Sequence, residues 1–152
     1  MKHDESALVK QALRDARAQL TRSGRLLPSA YMLVRNNPQT GAPLANPTAL
    51  AWQRDTPFGS RTEYDEFLAQ LRAEVTRLAA VAVAIGGEAQ AEVESGGRTS
   101  LRRVFMLRVE DRDGVEQLHA PIEADDHGEL RLGKLLADAG AADILDRRFF
   151  EA

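Results

Sequence analysis

The alternation of apolar and polar positions is sharpest between Leu101 and Ile122. Two apolar, β-prone runs there flank Asp113-Gly114, a dipeptide that marks a tight hairpin. With Asp113 and Gly114 as the two loop residues, Arg112 faces Val115. Counting outward places Val109 opposite Leu118, Leu107 opposite Ala120 and Phe105 opposite Ile122. Apolar residues then meet on one face, and a slip of one residue would destroy that match. The other face carries Val104, Met106, Arg108 and Glu110, joined by Gln117 and His119 from the partner strand.

Helical periodicity dominates elsewhere. Val9, Leu13, Ala16 and Leu20 form a narrow stripe on a first helix, capped by Asp4 or Ser6 and ended at Gly24. Tyr64, Phe67, Leu68, Leu71, Val75 and Leu78 define a stronger apolar face over 61–78. Ser60 and Glu63 supply a capping box at its start. Ala30 to Arg35 and Thr48 to Arg54 read as strands, separated by a proline-rich loop from Asn36 to Pro47.

The run Ala79–Ala84 suits helix by its alanines and strand by Val81, Val83 and Ile85. A strand over 81–93 is preferred, with a bulge at Gly86-Gly87 and a turn at Ser95-Gly96-Gly97. After an acidic turn at 124–128, Leu132–Ala139 and Ala142–Phe149 read as two short helices. The expected architecture is α+β, one domain over 1–152. A three-stranded antiparallel meander at 81–122 packs against the 61–78 helix, with strands near 30–35 and 48–54 as candidates to extend the sheet. Terminal helices flank it.

Composition narrows the function classes. A length of 152 residues with 43% hydrophobic and 28% charged residues fits a globular core rather than disorder. The net charge of −3 argues against a dedicated duplex-DNA binder and makes a nucleic-acid partner the less expected one. The absence of cysteine removes disulfides, thiolate nucleophiles and cysteine-ligated metals. No apolar stretch is long enough to span a bilayer, and none follows the N-terminus as a secretory signal would. With 17 arginines against three lysines, a bacterial cytoplasmic protein is expected.

Candidate chemistry is sparse. Gly128-Glu-Leu-Arg-Leu-Gly133-Lys134 matches a phosphate-loop spacing. However, Leu135 stands where a magnesium-binding hydroxyl belongs, and acidic residues stand where a buried strand should precede it. His119, Asp125, Asp126 and His127 have the ligand types of a metal-dependent hydrolase or nuclease but no supporting motif spacing. Glu110, Asp111, Asp113 and Glu116 crowd the hairpin, where a solvated tip is the simpler reading. Trp52, Arg54 and Phe58 combine interface-type side chains with a proline- and glycine-rich loop.

No motif carries a family resemblance. The expectation is a non-enzymatic binding or interaction module with no cofactor. Its partner is another protein or a second copy of itself, met through the mixed face of Val104, Met106, Arg108, Glu110, Gln117 and His119. The metal-dependent hydrolase is the alternative.

Overall fold

The computed structural model describes residues 3–138 and 148–150. Helix α1 (His3–Ser23) precedes strands β1 (Ser29–Asn36) and β2 (Pro43–Gln53). Helix α2 (Arg61–Arg77) follows, then β3 (Ala80–Ser95), β4 (Arg98–Asp111), β5 (Val115–Ala124), β6 (Leu130–Leu132) and β7 (Leu136–Ala137). The seven strands form an antiparallel sheet in the order β2-β1-β3-β4-β5-β6, with β7 also pairing β5. The α+β class expected from the periodicities is therefore observed, with a wider sheet.

The helices lie on opposite faces. Side chains alternate across each strand, so β1 is buried on both sides. Tyr31 and Leu33 join a cluster with Leu8, Ala12, Ala16 and Leu20 of α1. That cluster also takes in Ala82, Ala84, Phe105, Leu107, Val109 and Leu118. Ala30, Met32 and Val34 instead join Phe67 and Leu71 of α2, with Val83 and Phe150. The α1 seam is rotated from the expected stripe: Leu8 and Ala12 are buried, whereas Leu13 is only partly covered. Gln19 is buried on the same side because its amide oxygen accepts the Leu27 N–H at 2.8 Å, fixing the exit from the helix.

Ser60 caps α2, its hydroxyl accepting the Glu63 N–H at 3.2 Å. The Glu63 carboxylate reaches back to the Gly59 N–H at 2.7 Å, one residue before the cap itself. At the far end Ala79 takes φ of +49°, which stops the helix and turns the chain directly into β3. That left-handed residue resolves the ambiguity of the alanine run.

Four expectations need correction. The irregularity in β3 is at Val81, skipped in the pairing with β1, and Gly86-Gly87 stay in register with β4. Gly86 is glycine for space: a Cβ there would stand 2.9 Å from Cε1 of Phe105. The strand expected from Thr48 begins at Pro43, which an edge strand tolerates because one row of its N–H groups has no neighbour. Where the 132–139 helix was expected, the described residues give instead the end of β6, an irregular stretch and β7, and both strands pair with the outer edge of β5. The expected helix over 142–149 falls largely outside the described residues.

The fourth concerns register. Phe105 pairs with Ala120, Leu107 with Leu118 and Glu110 with Val115, two residues displaced from the two-residue-loop count. Asp111 causes this. Its carboxylate accepts the N–H groups of Asp113 and Gly114 at 2.8 and 3.0 Å, and its own N–H donates to the Gly114 carbonyl at 3.0 Å. The loop is therefore four residues long. A shift of two restores side-chain parity, so the face assignments stand although the partners change. The two-residue turn occurs at Gly96-Gly97 instead, both with positive φ, between the paired Ser95 and Arg98.

Candidate functional site

The mixed sheet face is assembled as its alternation requires. Val104, Met106, Arg108 and Glu110 of β4 stand beside Pro121, His119, Gln117 and Val115 of β5. Much of it is closed within the chain. Glu110 is 0% exposed, Val104 4% and Arg108 8%. The Glu110 carboxylate binds Arg108 Nη1 at 2.9 Å and accepts three successive backbone N–H groups. Those of Arg148, Phe149 and Phe150 lie at 2.8, 2.9 and 2.7 Å. Burial alone would raise the Glu110 pKa, but the three N–H groups and Arg108 hold it below the usual carboxylate range. Burial lowers the Arg108 pKa, with Arg148 adding to the fall and Glu110 opposing it.

Toward β7 the face opens. His119 Nδ1 bonds the Asp138 carboxylate, and Gln117 Nε2 donates to the same group at 2.8 Å. The Asp138 N–H returns to the Gln117 carbonyl at 2.9 Å, so β7 and its following residue are tied to β5 by both backbone and side chains. The His119 and Asp138 side chains are 33% and 22% exposed. The carboxylate fixes one imidazole nitrogen, the usual way of orienting a histidine. Periodicity alone missed Asp138, because it enters only when β7 folds back onto β5.

The candidate metal ligands are not brought together. His119 lies within β5 and is engaged by Asp138. Asp125 closes the β5–β6 turn, accepting the N–H groups of His127 and Glu129 at 2.8 and 3.0 Å. Among the described residues, no group of three histidine or carboxylate side chains is arranged to hold a metal ion. Glu110 and Asp111 are likewise committed to the chain end and the turn. The phosphate-loop spacing falls on a turn, β6 and an irregular segment, with Gly133 N–H bonded to the Pro121 carbonyl at 2.8 Å. No helix begins there to receive a phosphate.

Two of the three loop anchors, Arg54 and Phe58, meet. The Arg54 guanidinium stands 4.5 Å from the Phe58 ring centre. Phe58 packs edge-on against Tyr64 at 5.2 Å and against Phe67 at 5.3 Å. The Tyr64 ring also receives Arg61 and Arg148, and Arg148 donates to the Tyr64 hydroxyl. Trp52 is half-buried at the margin of the α2 cluster. Phe58 and Tyr64 form one wall of an open cleft of about 690 Å³. The Leu26–Pro28 connection and β3 from Ile85 to Gln90 form the others.

That cleft sits where the sheet narrows. Strand β1 follows β3 only as far as Gly86, and β5 follows β4 only as far as Val104. Beyond them β3 and β4 continue as a two-stranded arm to Ser95 and Arg98. At about 3.3 Å per residue the arm extends roughly 20 Å past the sheet. Its base is braced by Arg103, which binds the Glu88 carboxylate at 2.9 and 2.6 Å and the Gly24 carbonyl at 2.8 Å. Arg103, then the Leu26 N–H, hold the Glu88 pKa down against partial burial.

No protein-family model matches the chain, and neither a curated protein nor a solved structure matches it significantly. No helix among the described residues is long and apolar enough to cross a membrane.

Proposed function

We propose that the chain is a non-enzymatic binding module whose contact surface is the cleft at the base of the β3–β4 arm. The observation that carries this reading is the coincidence of three features there. An aromatic wall of Phe58 and Tyr64 faces small residues, Gly87 and Ala89, beside a strand whose sheet neighbour has ended. Aromatic walls next to accessible backbone suit an extended polypeptide better than a compact polar metabolite. Self-association through the mixed face of Val104, Met106, Arg108, Glu110, Gln117 and His119 is the weaker proposal, because Val104, Arg108 and Glu110 are already covered within the chain.

The test is selection of peptides from a displayed random library on the full chain, with Ala89→Arg as counter-selection. Ala89→Arg places a long side chain in the cleft while leaving the strand's backbone in place. Peptides that bind the native chain and lose the variant, with an unchanged thermal melt, support the reading. Peptides indifferent to Ala89→Arg but lost with His119→Ala would move the site to the open end of the mixed face.

A further inference from the structure

We infer that the cleft and the adjoining free edge of β3 accept an extended segment of another protein by strand addition. That segment carries basic side chains on one face and apolar side chains on the other. The inference rests on the binding-module reading above and specifies its partner.

The lane is set by β1. Pro28, just before that strand, lies beside Gly87: a Cβ built on Gly87 would be 3.7 Å from the Pro28 Cα. Pro28 turns its carbonyl to the Arg54 N–H at 2.9 Å, and the next N–H on the β3 side, that of Leu27, goes to the Gln19 side chain at 2.8 Å, so the ladder ends there. From Glu88 to Ser95, β3 is paired on the β4 side, and among the described residues no strand pairs its other side. Alternate backbone N–H and C=O groups of that stretch therefore face the open lane, which is the requirement for strand addition.

The side chains beside the lane differ by face. Glu88 pairs with Phe105, so Glu88, Gln90, Glu92 and Glu94 continue the α1 side of the sheet. Glu88 is occupied by Arg103, while Glu92 and Glu94 are exposed. Gly87, Ala89 and Ala91 continue the α2 side and lead from the cleft. An added strand would set every second side chain next to Gln90, Glu92 and Glu94, and the alternate ones beside Ala89 and Ala91, on the side of the cleft that Phe58 lines. Cross-strand neighbours of opposite charge stabilise a pair and like charges oppose it. The first row thus selects lysine or arginine and the second selects apolar residues.

The same glutamates reject a second copy's β3, which would bring identical charges face to face. A second copy's β4 edge, with Arg98 and Arg102, is basic enough to pair. Such a pairing is head-to-tail, however, and would propagate rather than close. A separate segment is therefore the favoured occupant.

Short synthetic peptides alternating lysine and valine, their glutamate–valine counterparts, and lysine–valine peptides N-methylated at alternate amides test this by fluorescence polarisation. The expected result is saturable binding of the lysine–valine peptide, weakening as salt rises. It should weaken by about tenfold or more on N-methylation in one of the two alternating phases, because only one set of amides faces β3. The double variant Glu92→Lys/Glu94→Lys should lose that binding and gain preference for the glutamate–valine peptide. Equal binding of both charge types, or indifference to N-methylation in both phases, overturns strand addition by a basic segment. The cleft reading still stands if Ala89→Arg abolishes that binding. No binding by any of these peptides overturns the inference too, and the library selection then decides the cleft reading separately. A mass that grows with concentration and is abolished by Arg98→Glu/Arg102→Glu would make a second copy the occupant, also overturning it.

Discussion

The two faces of the central sheet are closed by different means. Against α1, the buried contacts are between apolar side chains of neighbouring elements, Phe105 and Leu107 meeting Leu8, Ala12 and Ala16. Against α2, the same strand β4 presents Arg108 and a fully buried Glu110, and the cover includes backbone from near the chain's end. The first face is held by transfer of apolar surface from water, which is non-directional and tolerates adjustment. The second has its own apolar cluster around Met32 and Phe67 and adds to it a carboxylate whose acceptors are all committed, which has one solution and a high cost if half is removed.

Removing Glu110 breaks the comparison most directly. Glu110→Ala leaves Arg108 buried beside three unsatisfied N–H groups and is expected to cost about 3–5 kcal/mol in urea unfolding. Amide exchange at Phe149 and Phe150 should accelerate more than at Leu33. The pH dependence carries the sign. Because the folded pKa of Glu110 is lowered, its stabilisation is fully present above the ordinary carboxylate value. It is lost as pH falls below that value, about 4.3, toward the folded one. Native stability should therefore decline more steeply in that acid range than the stability of Glu110→Gln. Equal slopes would mean that the carboxylate is not the charge anchoring this face.

On the apolar face, Phe105→Ala is expected to cost about 3–5 kcal/mol with no comparable acid slope. Gly86→Ala should cost about 1–3 kcal/mol through overpacking against the Phe105 ring. Combined with Phe105→Leu the penalty should shrink, because the two sites touch. Additive costs in that cycle would remove the ring from above Gly86. The smallest effect is expected at the hinge between the faces. Ala79→Gly relieves a left-handed alanine and should stabilise by about 1 kcal/mol, read from the shift in urea midpoint.

Legibility followed the range of the interactions. The α2 helix could be read from its capping serine and its apolar spacing, and the β4–β5 faces from a period of two. Both signals lie within a few residues. The hairpin register could not be read from Asp113-Gly114 alone, because the choice rested on whether the Asp111 side chain would take up the turn's N–H groups. The candidate site was visible only in pieces. Arg54 and Phe58 stood out as anchors, and Tyr64 was read only as part of a helix face. The open lane beside β3 exists because β1 ends at Ser29 opposite Gly86, a relation between strands far apart in the chain.

The amino-acid sequence by itself determined the α+β class, the helix–strand order through Ile122 and the parity of β4 and β5. Helical and extended backbones impose their own repeat on apolar positions wherever they pack. Tertiary structure decided which faces became interior. It brought Arg148, Phe149 and Phe150 onto Glu110, folded Asp138 onto His119 and placed the short strands 130–132 and 136–137 where a helix from Leu132 was expected. Those outcomes depend on a buried carboxylate and a free sheet edge finding backbone partners. Such partners are chosen by proximity in space, which no local spacing encodes.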